Sequence, residues 1–88
     1  MRVVITVVGK DRPGILASVS SKCAEYNVNI VDVTQKVLQD LFTMIMIAEM
    51  PEGQTVQSIA KDFEDMGNKE GLKIHVMHED IFNAMHTI

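Results

Sequence analysis

A chain of 88 residues, 47% hydrophobic but only 5% aromatic, has room for one domain, with a core built from Val, Ile, Leu and seven Met rather than from rings. A net charge of −4 with scattered Lys and Arg supplies no basic stripe to follow a phosphate backbone, which argues against nucleic-acid binding. The single cysteine, Cys23, rules out an internal disulfide and any CxxC pair, and with no apolar run of about 18 residues the expectation is a cytoplasmic protein with neither signal peptide nor membrane span.

Val3-Val4-Ile5-Thr6-Val7-Val8 is almost continuously apolar and β-branched, which predicts a central strand. The loop Gly9-Lys10-Asp11-Arg12-Pro13-Gly14 follows, with two permissive glycines, a proline that pre-sets φ for a first helical turn, and three charges. From about Pro13 to Tyr26, Leu16, Val19, Cys23 and Tyr26 recur at helical spacing, with Ser18, Ser21, Lys22 and Glu25 opposite. Asp11 is placed to cap the start of that helix. Asn27-Val28-Asn29 ends it, because Asn tolerates left-handed backbone.

In Ile30 to Val37, Val31, Val33 and Val37 alternate with Asp32, Thr34 and Lys36, which predicts a strand with one dry face. Gln39-Asp40 reads as a turn, and Leu41 to Met50 as a second central strand, apolar on both faces, broken by Pro51-Glu52-Gly53. A helix capped by Thr55 carries Val56, Ile59, Ala60, Phe63 and Met66 inward and Gln57, Lys61, Asp62 and Glu64 outward, to Glu70. Gly71 terminates it, and Leu72, Ile74 and Val76 alternate with Lys73, His75 and Met77 as a fourth strand. Residues Glu79 to Ile88 place Ile81, Phe82, Met85 and Ile88 at helical spacing, a short amphipathic tail packing on domain 1–78 or on a partner subunit.

Right-handed crossovers turn this order into an α+β, ferredoxin-like βαββαβ sandwich: a four-stranded antiparallel sheet with two helices on one face, plus the C-terminal helical tail. Two helices hide only one side of a sheet. Ile45 and Ile47 lie on the other, so a second subunit or the tail is expected to cover it.

The stretches Lys10-Asp11-Arg12-Pro13-Gly14-Ile15-Leu16 and Tyr26-Asn27-Val28-Asn29-Ile30, in this order of elements, resemble those of ACT domains. The length, Phe42-Thr43-Met44 and His78-Glu79-Asp80-Ile81-Phe82-Asn83-Ala84-Met85-His86 are similar to the small single-domain ACT proteins of bacteria and archaea. The resemblance implies a regulatory module that binds an amino acid or related metabolite between paired domains. It places the ligand between Asp11, Arg12, Pro13, Gly14 and Ile15 of one subunit and Asn29, Ile30 and Val31 of its neighbour. Free amides at a helix start attract a carboxylate, an acidic side chain receives an ammonium group, and Asn29 offers a donor and an acceptor. The plainer roles are a helix cap for Asp11, turn chemistry for Pro13-Gly14, a surface salt bridge for Arg12 and a helix end for Asn29.

Other chemistries find little support. His75, His78, Glu79 and His86 are the candidate metal ligands, yet His75 and His78 are three apart on a strand and point to opposite faces. His78 and His86 would stand about 12 Å apart along a helix, too far for one ion. No metal or cofactor is therefore expected. Cys23 lies on the apolar stripe as a core residue, and Phe42 is the one aromatic available to an RNA-binding sheet. With no GxxxxGK loop, no defensible Ser-His-Asp set and no arginine-bearing glycine loop of the acylphosphatase kind, the expectation is a non-catalytic, homodimeric small-molecule sensor. The alternative is a protein–protein interaction module that uses its sheet face or tail without a small ligand.

Overall fold

The computed structural model describes residues 1–85, as β1 (Arg2–Lys10), α1 (Ile15–Glu25), β2 (Asn29–Leu38), β3 (Leu41–Glu49), α2 (Val56–Glu70), β4 (Leu72–His78) and α3 (Glu79–Met85). The expected roles of His86 and Ile88 lie outside the described residues. The strands form one antiparallel sheet in the order β2-β3-β1-β4. The two strands with apolar residues on both faces, β1 and β3, thus occupy the centre, as their patterns demand.

On one face, Val3, Ile5 and Val7 of β1, Met44, Met46 and Ala48 of β3, and Leu72 and Ile74 of β4 are buried against Ile15, Val19 and Cys23 of α1 and Ile59 and Phe63 of α2. Burial of each Val, Ile, Leu, Met or Phe side chain among them stabilises by about 1.5–3 kcal/mol. Gly67 lets α2 lie close on β4, since a Cβ there would stand 2.7 Å from the Leu72 carbonyl oxygen. Thr55 caps α2, its Oγ1 accepting from the Ser58 amide at 3.2 Å while the Ser58 hydroxyl accepts from the Thr55 amide. Asn27 and Gly71 end the helices in left-handed conformation, with φ of 56° and 74°.

Two sequence expectations change. The buried stripe of α1 is Ile15, Val19 and Cys23, while Leu16 is exposed, because the helix begins at Ile15 and its phase is set by Gly14 rather than Pro13. Val31 and Val37 do not form a dry face. As the outer strand, β2 has no neighbour beyond it, and its register shifts between Ile30 and Asp32, which leaves Val31 as the extra, exposed residue of a bulge. Gln39 turns the β2–β3 hairpin with φ of 59°.

The other sheet face reads in rows of paired residues: Asp32, Ile47, Val4 and Met77; then Thr34, Ile45, Thr6 and His75; then Lys36, Thr43, Val8 and Lys73. α3 folds against β1 and β4 at the Val4 end, where Arg2 pairs with Glu79 at 3.7 Å.

Candidate functional site

The loop after β1 is anchored on both sides. The Asp11 amide donates to the Asp40 carbonyl at 2.8 Å, tying the loop to the β2–β3 hairpin. The Arg12 guanidinium pairs with the Glu70 carboxylate and donates to the Pro13 carbonyl at 3.3 Å, tying it to the end of α2. Arg12 thus takes the structural role that surface arginines commonly have. Gly14, with φ of 89°, is the N-cap of α1, and its carbonyl accepts from the Ser18 amide at 3.0 Å.

Among the described residues no side chain caps this helix. The expectation that Asp11 does so fails because the left-handed turn at Gly14 moves the cap position three residues beyond it. The first-turn amides of α1 therefore have no side-chain acceptor among the described residues, and the positive end of the helix is left uncapped. Asp11, Pro13 and Gly14 are exposed beside it, whereas the Ile15 side chain is 2% exposed and belongs to the core.

Asn29, Ile30 and Val31 lie elsewhere. Lys10 pairs with Leu41 at one end of β3, and Asn29 pairs with Glu49 at the other. Eight residue steps separate them, about 26 Å along the sheet. Within one chain the structure therefore does not bring the two halves of the expected site together. Asn29 and Val31 are exposed and Ile30 is partly buried against the core.

The histidines make local partnerships. His75 Nδ1 lies 3.8 Å from Glu64, and His78 Nδ1 accepts from the Asp80 amide at 3.0 Å. Among the described residues no three His, Cys, Asp or Glu side chains converge as a metal site, and no helix is long and apolar enough to cross a membrane. Burial pushes the Cys23 thiol up to about 11, which leaves it protonated and unreactive.

Two features escaped the sequence. Where α1 ends against α2, the Tyr26 hydroxyl donates to Asp62, and Lys22 reaches Asp62 at 3.4 Å and Glu25 at 3.0 Å. The hydrogen bond from Tyr26 holds the Asp62 carboxyl below its ordinary range, and the same bond raises the phenol. The second is an open cavity of about 550 Å³ at the junction of α2, β4 and α3, lined by Val56, Val76, Met77 and Ile81. Its lining comes from the ends of three elements, which periodicity treats separately.

A family model described as the ACT domain matches residues 1–77. The chain is 46% identical over 88 residues to a UPF0237 protein of Streptococcus mutans, spanning 100% of both chains. It is 43% identical over 88 residues to a UPF0237 protein of Methanopyrus kandleri, spanning 99% of this chain and 98% of that one. The solved structure of an ACT domain protein from Streptococcus pneumoniae is similar with a TM-score of 0.84 and 42% identity, over 98% of each chain.

Proposed function

Because the chain belongs to the ACT domain family, we propose that it is a non-catalytic sensing module that binds an amino acid or related small metabolite between two copies of itself. The observation that carries this reading is the separation of the open α1 start from Asn29 within one sheet. Pairing with a second copy shortens that separation. β2 is an outer strand, and antiparallel pairing of its free edge with the same edge of a partner reverses the neighbour's strand. The partner's Asn29 end then comes level with the loop, at a lateral distance of about three strand spacings, roughly 14 Å.

The chemistry suits a zwitterion. The uncapped amides of α1 receive a carboxylate, Asp11 receives an ammonium group, and Asn29 of the second copy closes the site with a donor and an acceptor. Arg12 keeps its pair with Glu70 and holds the loop in place.

Calorimetry and thermal shift against a panel of amino acids test this. A true ligand at 100 times its dissociation constant stabilises by about 2.7 kcal/mol, and Asp11→Ala and Asn29→Ala each remove the response. A panel with no response from the unaltered protein would overturn the sensing role. The second reading, an interaction module without a small ligand, is supported by the exposure of Val8 and Ile45 on the sheet and of Ile81 and Met85 on α3.

A further inference from the structure

α2 and β4 form a wedge. After the turn at Gly71 the chain runs back along α2 as β4, and the two elements lie closest at Gly67, where an added Cβ would stand 2.7 Å from the Leu72 carbonyl oxygen. About 16 Å further toward the start of α2, Val56 and Val76 are only partly buried, and the cavity of about 550 Å³ opens beside them with Met77 and Ile81 as the rest of its apolar lining. Ile81, on α3, stays 56% exposed there. The wedge does not close by sagging of α2, because the reciprocal bonds between Thr55 and Ser58 fix its first turn. The cavity is therefore preformed, and its volume falls within the range of about 300–1,000 Å³ common to small-molecule sites.

The polar groups on its rim are mostly donors. The Asp80 amide donates to His78 Nδ1 at 3.0 Å, so the neutral ring carries its proton on Nε2. Gln54 presents Oε1 to the Ser58 hydroxyl at 2.8 Å, which leaves its amide nitrogen as the donor, and Gln57 adds a second amide. Among the described residues no Asp or Glu lines the cavity, and Glu79, which follows His78, is held by Arg2 at 3.7 Å.

We propose that this cavity is a binding site for a medium-chain aliphatic carboxylate, its chain against Val56, Val76, Met77 and Ile81 and its headgroup accepting from His78 Nε2 and the glutamine amides. An apolar lining without aromatic rings favours a flexible saturated chain over a flat ring, and a rim of donors free of acids favours an acceptor over a cation. The site stands apart from the sensing role. His78 pairs with Val3, at the opposite end of β1 from the loop after Lys10, and β4 and the Asn29 strand β2 are opposite edges of the sheet.

Calorimetry with octanoate on the full chain, carrying its native amino terminus because Met1 also borders the cavity, gives the test. Octanoate binds saturably, one per chain. Each methylene contributes about fourfold in affinity, so hexanoate binds about 15-fold more weakly. Octylammonium, which offers donors only, binds at least tenfold more weakly than octanoate, although a net charge of −4 attracts it. His78→Phe weakens octanoate about tenfold and keeps the ratio between the two chain lengths. Ile81→Trp, at an exposed position, fills the cavity and abolishes binding with the circular dichroism spectrum unchanged. In methyl NMR spectra octanoate shifts the Val56, Val76 and Ile81 signals and leaves Ile45 in place, a readout that needs no variant. Asp11→Ala and Asn29→Ala leave octanoate binding intact, so the two sites fail or stand separately. Unsaturable uptake or no uptake of octanoate at millimolar concentration, equal binding of octylammonium, or methyl shifts elsewhere than at the cavity would each overturn the proposal.

Discussion

Tyr26, Lys22 and Asp62 meet where the end of α1 passes over α2, and one α2 carboxylate accepts from two donors at the end of α1. The Asp62 carboxyl titrates below its unfolded value because the Tyr26 hydroxyl, and then Lys22, bond its charged form. A depressed carboxyl contributes stability above the unfolded pKa and loses it as pH falls through the folded one. The advantage of the native protein over Asp62→Asn in melting temperature is therefore full at about pH 6 and shrinks progressively as the pH falls below about 4. It also shrinks at high salt, since the group is partly open to solvent. A gap that stays constant from pH 6 to pH 3 would refute the assignment. Sequence placed Asp62 on the outer face of its helix, correctly by period, but its partner on the other helix depends on how α1 and α2 cross. Asp11 shows the converse: its charge and position suggested a cap, and one left-handed glycine moved the cap away.

Elements whose burial is decided locally were the most legible. β1 and β3, apolar on both sides, are central, and the alternation in β4 and the stripe of α2 put Leu72, Ile74, Ile59 and Phe63 in the core, with Val76, Val56 and Met66 partly buried against it. β2 was misread because its valines met a bulge and a free edge, both consequences of what lies beside a strand rather than within it. The packing of α2 on β4 turns on a residue that carries no pattern at all. Gly67 is buried in the helix, and an added Cβ would stand 2.7 Å from the Leu72 carbonyl oxygen and 2.9 Å from Ile74 Cγ1. Gly67→Ala gains about 1 kcal/mol of helix propensity. The clash with backbone costs more, about 2–3 kcal/mol, so the net loss is about 1–2 kcal/mol. For a chain of this size that lowers the melting temperature by roughly 4 °C or more. A variant that melts at or above the native temperature would show that α2 can move off β4.

At the scale of the whole molecule, the order of elements already signalled a sheet face that two helices leave uncovered, but not which residues would stay exposed. Val31, Val37 and Leu38 are exposed along the outer strand, and Val8, Ile45, Ile81 and Met85 on the open sheet face and α3. The candidate site shares that limit: the loop and the Asn29 stretch were both legible as motifs, yet their separation by the length of the sheet follows from register alone. A protein that hides these surfaces in a second copy couples folding to association. Its melting temperature must then rise with protein concentration, because dilution favours the unfolded monomers. A tenfold rise in concentration adds about 1.4 kcal/mol to the stability of a dimer. For two chains of this length together, that is a rise of about 3–5 °C in melting temperature. Ile45→Lys flattens this dependence if the sheet face is the dominant contact, and leaves it intact if pairing through β2 dominates. A native melting temperature that stays fixed over a hundredfold range of concentration would leave the chain a monomer, with the open α1 start and Asn29 never meeting.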